Sequence, residues 1–144
     1  MSLRDGTKKM SKSELSDQSR INLTDDKDQM INKIKKAKTD TLPLPSTSVG
    51  LDKRPEAKNL IGIYSSLMDV KLEYTINKFS GKSFSEFKDN LSQVIVDKIS
   101  PISLEIKKLL SEKKYLDKIL LEGSKKADII ASEKVKKIQK LLGF

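Results

Sequence analysis

Residues 83–99 read SFSEFKDNLSQVIVDKI, and this stretch decides the fold. Ser83 and Glu86 have the spacing of a capping box, which opens a helix by satisfying backbone N–H groups that the helix itself cannot. Behind them Phe84, Phe87, Leu91, Val94, Ile95 and Ile99 recur every three or four positions and therefore share one helical face. Pro101 lies inside this pattern, which resumes with Ile102, Ile106, Leu109 and Leu110. A proline there removes a helical hydrogen bond, so a kink or a short break is expected.

The same period extends outward in both directions. Thr24 can cap, and Asp25, Asp26 and Asp28 favour a helix amino end ahead of Met30, Ile31 and Ile34, predicting a helix over 25–37. Residues 39–50, TDTLPLPSTSVG, carry two prolines and several hydroxyls and read as a loop. Pro55 suits a first helical position and begins a helix over 55–68. A shorter helix follows over 71–79, closed by Ser80-Gly81. Past Lys113-Lys114, the positions Leu116, Ile119, Leu120, Ala127, Ile130, Ala131, Val135, Ile138, Leu141 and Leu142 give a last helical segment. Gly123 weakens it by roughly 1 kcal/mol relative to Ala, and Gly143 is a natural stop. The fold class is all-α: a helical bundle of four or five helices, with no convincing strand and no internal repeat.

Composition agrees with one helical domain. The chain has 144 residues, of which 36% are hydrophobic, 5% aromatic and 34% charged. Its net charge of +9 is unevenly spread. Residues 1–38 hold ten basic and six acidic side chains, residues 39–106 hold eight and nine, and residues 107–140 hold eleven and five. Basic ends invite a polyanion such as nucleic acid, although a lysine-rich surface also simply keeps a helical protein in solution. The absence of cysteine excludes disulfides and thiolate metal sites, and fits a reducing compartment, with the cytoplasm expected. The absence of histidine excludes Ser-His and Cys-His catalysis and imidazole ligands. No run approaches the roughly 20 apolar residues of a membrane span, so a soluble chain is expected.

Ahead of the first helix, residues 4–22 are polar and without period, and read as an irregular loop. Within them Thr7–Ser13, TKKMSKS, joins lysines to hydroxyls on flexible backbone, a chemistry suited to an anion. Lys9-Met10-Ser11-Lys12-Ser13 matches letter for letter the KMSKS signature of class I aminoacyl-tRNA synthetases. Activation of an amino acid by ATP expels pyrophosphate, and two mobile ammonium groups can follow the charge onto the leaving phosphates. Lysine, a compact point charge, suits that task better than a rigid guanidinium fork.

The flanking text widens the resemblance. MSLRDGTKKMSKS resembles the strand, turn and loop of bacterial tryptophanyl-tRNA synthetases, and INKIKKAKTD resembles the helix and Thr-Asp that follow. RPEAKNLIGIYSSLMD, GKSFSEFKDNLSQVIVDKISPI and YLDKILLEGSKKADIIASEKVKKIQKLLGF resemble, in the same order, the family's carboxy-terminal helical region. Gly6 stands where a proline is frequent, and Thr41 where a serine is frequent.

The resemblance implies two parts. Residues 1–22 would be the end of a catalytic domain with the KMSKS loop, and residues 23–144 a helical tRNA- and anticodon-binding region. It implies a tryptophan–tRNA ligase forming tryptophanyl adenylate from ATP and passing the amino acid to tRNA(Trp). In that reading Lys9 and Lys12 hold the departing pyrophosphate, Ser11 and Ser13 bond phosphate or fix the loop, and Met10 anchors the loop by packing. ATP is then a substrate and Mg2+ accompanies it, with no metal ligand identifiable in this chain. Lys33, Lys35, Lys36 and Lys38, or Lys134, Lys136, Lys137 and Lys140, are candidates for tRNA phosphate contact, against a solvated lysine face.

The family's other signature, HIGH, contains two histidines, and this chain has none. By the resemblance the Rossmann catalytic domain, the tryptophan pocket and most of the interface of a homodimer lie upstream of Met1. The expectation is a carboxy-terminal portion, inactive alone, that completes a synthetase with a separate amino-terminal half. A tRNA-binding remnant without catalysis, or an inactive fragment, is the alternative.

Overall fold

A computed structural model describes residues 1–143, and all of its regular structure is helical. Apart from a single 3-10 turn at Asp17–Ser19, the helices are α1 (Lys27–Lys35), α2 (Ser48–Asp52), α3 (Pro55–Met68), α4 (Leu72–Phe79), α5 (Phe84–Ser111) and α6 (Lys113–Leu142). The chain divides into two compact units, Met1–Leu104 and Glu105–Phe144. Residues 1–22 thus share a unit with the helices up to Leu104.

The helix starts follow local chemistry. Asp26, rather than Thr24, caps α1: its carboxylate accepts the Gln29 N–H, and the Gln29 side chain accepts the Asp26 N–H, both at 2.8 Å. The predicted start at residue 25 is therefore early by two positions, because Asp25 is engaged elsewhere. Helix α3 begins on Pro55 and ends at Met68, as the sequence predicts, with Asp69 held in the left-handed region at φ 52°. Ser83 accepts the Glu86 N–H at 3.3 Å ahead of α5. The Glu86 carboxylate pairs with Lys82 instead of closing the capping box.

One expectation is corrected, and of the kink or short break expected at Pro101 the break is excluded. Helix α2 lies at the end of, and beyond, the expected 39–50 loop, raising the helix count to six among the described residues. Thr47 starts it by accepting the Gly50 N–H at 3.1 Å, and Leu51 is buried. Pro101 causes no break, since α5 runs without interruption to Ser111.

In the first unit, Met30 and Ile34 of α1, Leu51 of α2, Leu60, Ile61 and Tyr64 of α3, Phe79 of α4, and Phe87, Leu91 and Ile95 of α5 form one core. Three rings knit it. Phe79 stands edge-on to Tyr64, with centroids 5.0 Å apart, and to Phe87, at 4.8 Å. Edge-to-face pairs of this kind add about 0.5–1.5 kcal/mol each beyond the area they bury. Ser65 donates to the Ile61 carbonyl and meets the Thr75 hydroxyl at 2.8 Å, so these buried hydroxyls are satisfied.

The second unit is dominated by α6, which ends on Gly143 in the left-handed conformation at φ 81°. None of its residues is buried, and Ile119, Leu120, Ile130, Val135, Ile138, Leu141 and Leu142 are all exposed. No helix among the described residues is long and apolar enough to cross a membrane.

Candidate functional site

The signature loop hangs from the first three residues. No strand forms there, yet Leu3 is tied on both sides: its N–H donates to the Ser19 carbonyl and its carbonyl accepts the Lys38 N–H, each at 2.8 Å. Ser2 donates its N–H to the Lys8 carbonyl at 2.9 Å, and Asn59 of α3 donates to the Ser2 carbonyl at 3.1 Å. Buried Leu3 thereby fixes where the loop leaves the core.

Asp5 then turns the chain. Its carboxylate accepts the Thr7 hydroxyl at 2.6 Å and the Thr7 N–H at 3.0 Å, an Asx turn. These two bonds, helped by nearby Lys8 and Lys38, hold the Asp5 carboxyl below its ordinary pKa. Gly6 packs directly on α3: a Cβ there would lie 2.5 Å from the carbonyl carbon of Pro55. The departure from the frequent proline thus has a steric counterpart in this chain, whose α3 backbone leaves no room for a side chain.

Beyond the turn, Ser11 and Ser13 pair through their hydroxyls at 2.8 Å, and the Ser13 N–H donates to Ser11 Oγ at 3.3 Å. Arg4, Lys8, Lys9, Ser11 and Ser13, with Asp5 and Glu14 among the acidic neighbours, line an open cleft of about 580 Å³. Lys9, Ser11 and Ser13 are therefore brought together, while Lys12 and Met10 do not line the cleft. Met10 is 38% exposed. Neither Lys9 nor Lys12 forms an ion pair among the described residues, so both ammonium groups are available to an anion. No cluster of three or more potential metal ligands occurs among the described residues.

The lysines in and just after α1 divide sharply, and here one expectation is corrected. Lys33 is not a surface cation: its side chain is 4% exposed and bonds Asp25 at 2.7 Å and Asp17 at 2.6 Å. Lys38 pairs with Glu56 at 3.0 Å, a bond that raises its pKa, and Lys35 lies 3.8 Å from Asp89. Arg4 donates to the Lys36 carbonyl at 3.2 Å. Lys88 of α5 reaches the carbonyls of Ala37 and Lys35, at 2.6 and 3.2 Å, and satisfies the end of α1, while burial lowers its pKa. On α6, Lys136, Lys137 and Lys140 share a shallow cleft with Glu133.

Sequence reading missed Arg4 and Lys8 as cleft residues, although the Lys8-Lys9 pair in TKKMSKS was a usable sign. Nothing in the sequence marked Arg20, whose guanidinium donates to the carbonyls of Ser11 and Glu14 at 3.2 and 3.5 Å.

Comparison with known proteins agrees with this loop and these helices. The sequence model of the class I tRNA synthetases (W and Y) matches residues 1–100. The tryptophan–tRNA ligase of Mesorhizobium japonicum is 46% identical over all 144 residues, which correspond to 41% of its length, its carboxy-terminal part. That of Rickettsia felis is 49% identical over the whole chain, covering 43% of its length. The chain thus spans about two fifths of the curated relatives it matches. A crystal structure of tryptophanyl-tRNA synthetase from Mycoplasma pneumoniae superimposes with a TM-score of 0.60 at 27% identity, over 75% of this chain and 34% of that one. With its signature loop, its helical body and these relatives, the chain belongs to the class I tRNA synthetases of the tryptophan and tyrosine group.

Proposed function

We propose that this chain supplies the ATP and pyrophosphate loop and the tRNA-binding helices of a tryptophan–tRNA ligase. One observation carries the reading: the KMSKS residues lie on an exposed loop whose Lys9 and Lys12 have no ion partner among the described residues, beside a cleft lined by further cations and hydroxyls. Lys9 and Lys12 stabilise charge developing on the departing pyrophosphate, and Ser11 and Ser13 bond phosphate oxygens or brace the loop. Met10 contributes packing once the loop closes on substrate. ATP, tryptophan and tRNA(Trp) are the partners, in a homodimeric cytoplasmic enzyme.

Residues 1–22 act as the end of the catalytic domain, and residues 23–144 as the tRNA-binding region. Within the latter, Lys136, Lys137 and Lys140 are placed to meet phosphates, whereas Lys33 is withdrawn from that role. A second reading, tRNA binding without catalysis, rests on the lysine cleft of α6 alone, where Lys136, Lys137 and Lys140 lie beside Glu133.

Tryptophan-dependent ATP–pyrophosphate exchange separates them. The chain is assayed alone, mixed with the remaining amino-terminal part of the Mesorhizobium japonicum ligase, and fused to it. Exchange in the fused protein and not in the chain alone is the expected result. A well-folded fusion without exchange that still binds tRNA would leave the non-catalytic reading.

A further inference from the structure

If the loop closes on substrate as proposed above, what holds it beforehand matters as much as the lysines. Between Lys9 and Glu14, the loop's bonds among the described residues are the internal Ser11–Ser13 pair and those from Arg20. Arg20 is nine residues away from Ser11, with its side chain only 18% exposed.

Every edge of its guanidinium is assigned. Nε donates to Asn22 Oδ1 at 3.2 Å, one terminal nitrogen meets Asp17 at 3.1 Å, and the other faces the loop carbonyls. A planar fork bound on two edges has its third edge aimed by geometry alone. Asp17 is itself fixed, because Asn22 donates to one of its oxygens at 2.7 Å and Lys33 to the other at 2.6 Å. Lys33 stands in α1 between core residues Met30 and Ile34, and shares its ammonium with buried Asp25. Asp25 in turn accepts the Asn22 N–H at 2.9 Å.

We propose that Arg20 is a positioning residue that tethers the signature loop to α1, through a relay in which Asp17 and Lys33 aim its guanidinium at the Ser11 and Glu14 carbonyls. The tether grips backbone and leaves the Lys9 and Lys12 ammonium groups to the ligand. One of its two loop contacts is at the outer limit of a hydrogen bond, so the loop has a defined rest position that binding can exchange for a closed one. This deepens the phosphate-loop reading and concerns the same residues, but it is tested separately from it.

The test compares the full chain with its Arg20→Gln and Arg20→Lys variants by backbone nitrogen-15 relaxation and by trypsin cleavage after Lys9 and Lys12. Both variants are expected to lower the order parameters of residues 9–14 and to speed cleavage there at least fivefold, with cleavage elsewhere and the melting temperature unchanged. Lysine fails to rescue because one ammonium cannot hold Asn22, Asp17 and the loop at once. Unchanged loop order, or an increase in cleavage spread evenly over the chain, would overturn the tether. Should Arg20→Gln not fold, Asp17→Asn, which keeps the guanidinium but loosens its aim, is expected to give the same local loosening. Inorganic pyrophosphate is added in parallel. A wild-type loop that loosens on Arg20 substitution but gains no protection from pyrophosphate upholds the tether and counts against the phosphate reading alone.

Discussion

Phe87, Leu91 and Ile95 on α5 and Ile130, Ile138 and Leu142 on α6 obey the same helical period, yet the first three are sealed from water and the second three are exposed. A second contrast runs through the lysines: Lys9 and Lys12 are exposed and without ion partners among the described residues, while Lys33 and Lys88 are buried in bonds that hold the fold. Period and composition thus state which face is apolar and how much charge there is. Whether the face is covered, and whether the charge is structural, depends on what the chain brings against it.

Substitutions can break that comparison in order of size. Phe87→Ala removes a fully buried ring of the aromatic cluster and is expected to cost about 3–5 kcal/mol of first-unit stability in urea unfolding. Lys33→Met leaves Asp25 buried beside Asp17 without its cation, and a loss of about 3–5 kcal/mol is expected by the same assay. A near-neutral Lys33→Met would return this residue to the surface-cation class. Gly6→Ala forces a methyl against the Pro55 backbone and is expected to cost about 1–3 kcal/mol, seen as a lowered urea midpoint. At the small end, Ile130→Ala on exposed α6 is expected to shift stability by no more than about 0.5 kcal/mol. A larger loss there would show that the α6 stripe is covered in solution.

Much of this was legible beforehand because it is local chemistry. Pro55 at a first helical turn, Gly81 in the left-handed region at φ 73° and the apolar face of α5 all read correctly from neighbouring letters. The misses share a cause as well. Helix α2 was hidden by the prolines before it, although Thr47 four residues ahead of Leu51 is itself a cap signal. Pro101 reads as the site of a kink or a short break, and the break does not occur, because a helix whose other bonds are intact continues through it. The resemblance of the loop rested on five letters together with the text on both sides of them. Its anchor was not, since Arg20, Asp17 and Lys33 are separated along the chain and meet only after α1 has packed.

The claim that ties the molecule together is that Lys12 serves chemistry and not folding. The most direct test is to make Lys12→Ala in the chain fused to the amino-terminal part of a tryptophan–tRNA ligase, and to measure tryptophan-dependent ATP–pyrophosphate exchange beside the urea midpoint. A fall of about 10- to 1000-fold in exchange at an unchanged midpoint is the predicted result. Exchange at the unsubstituted rate would contradict it.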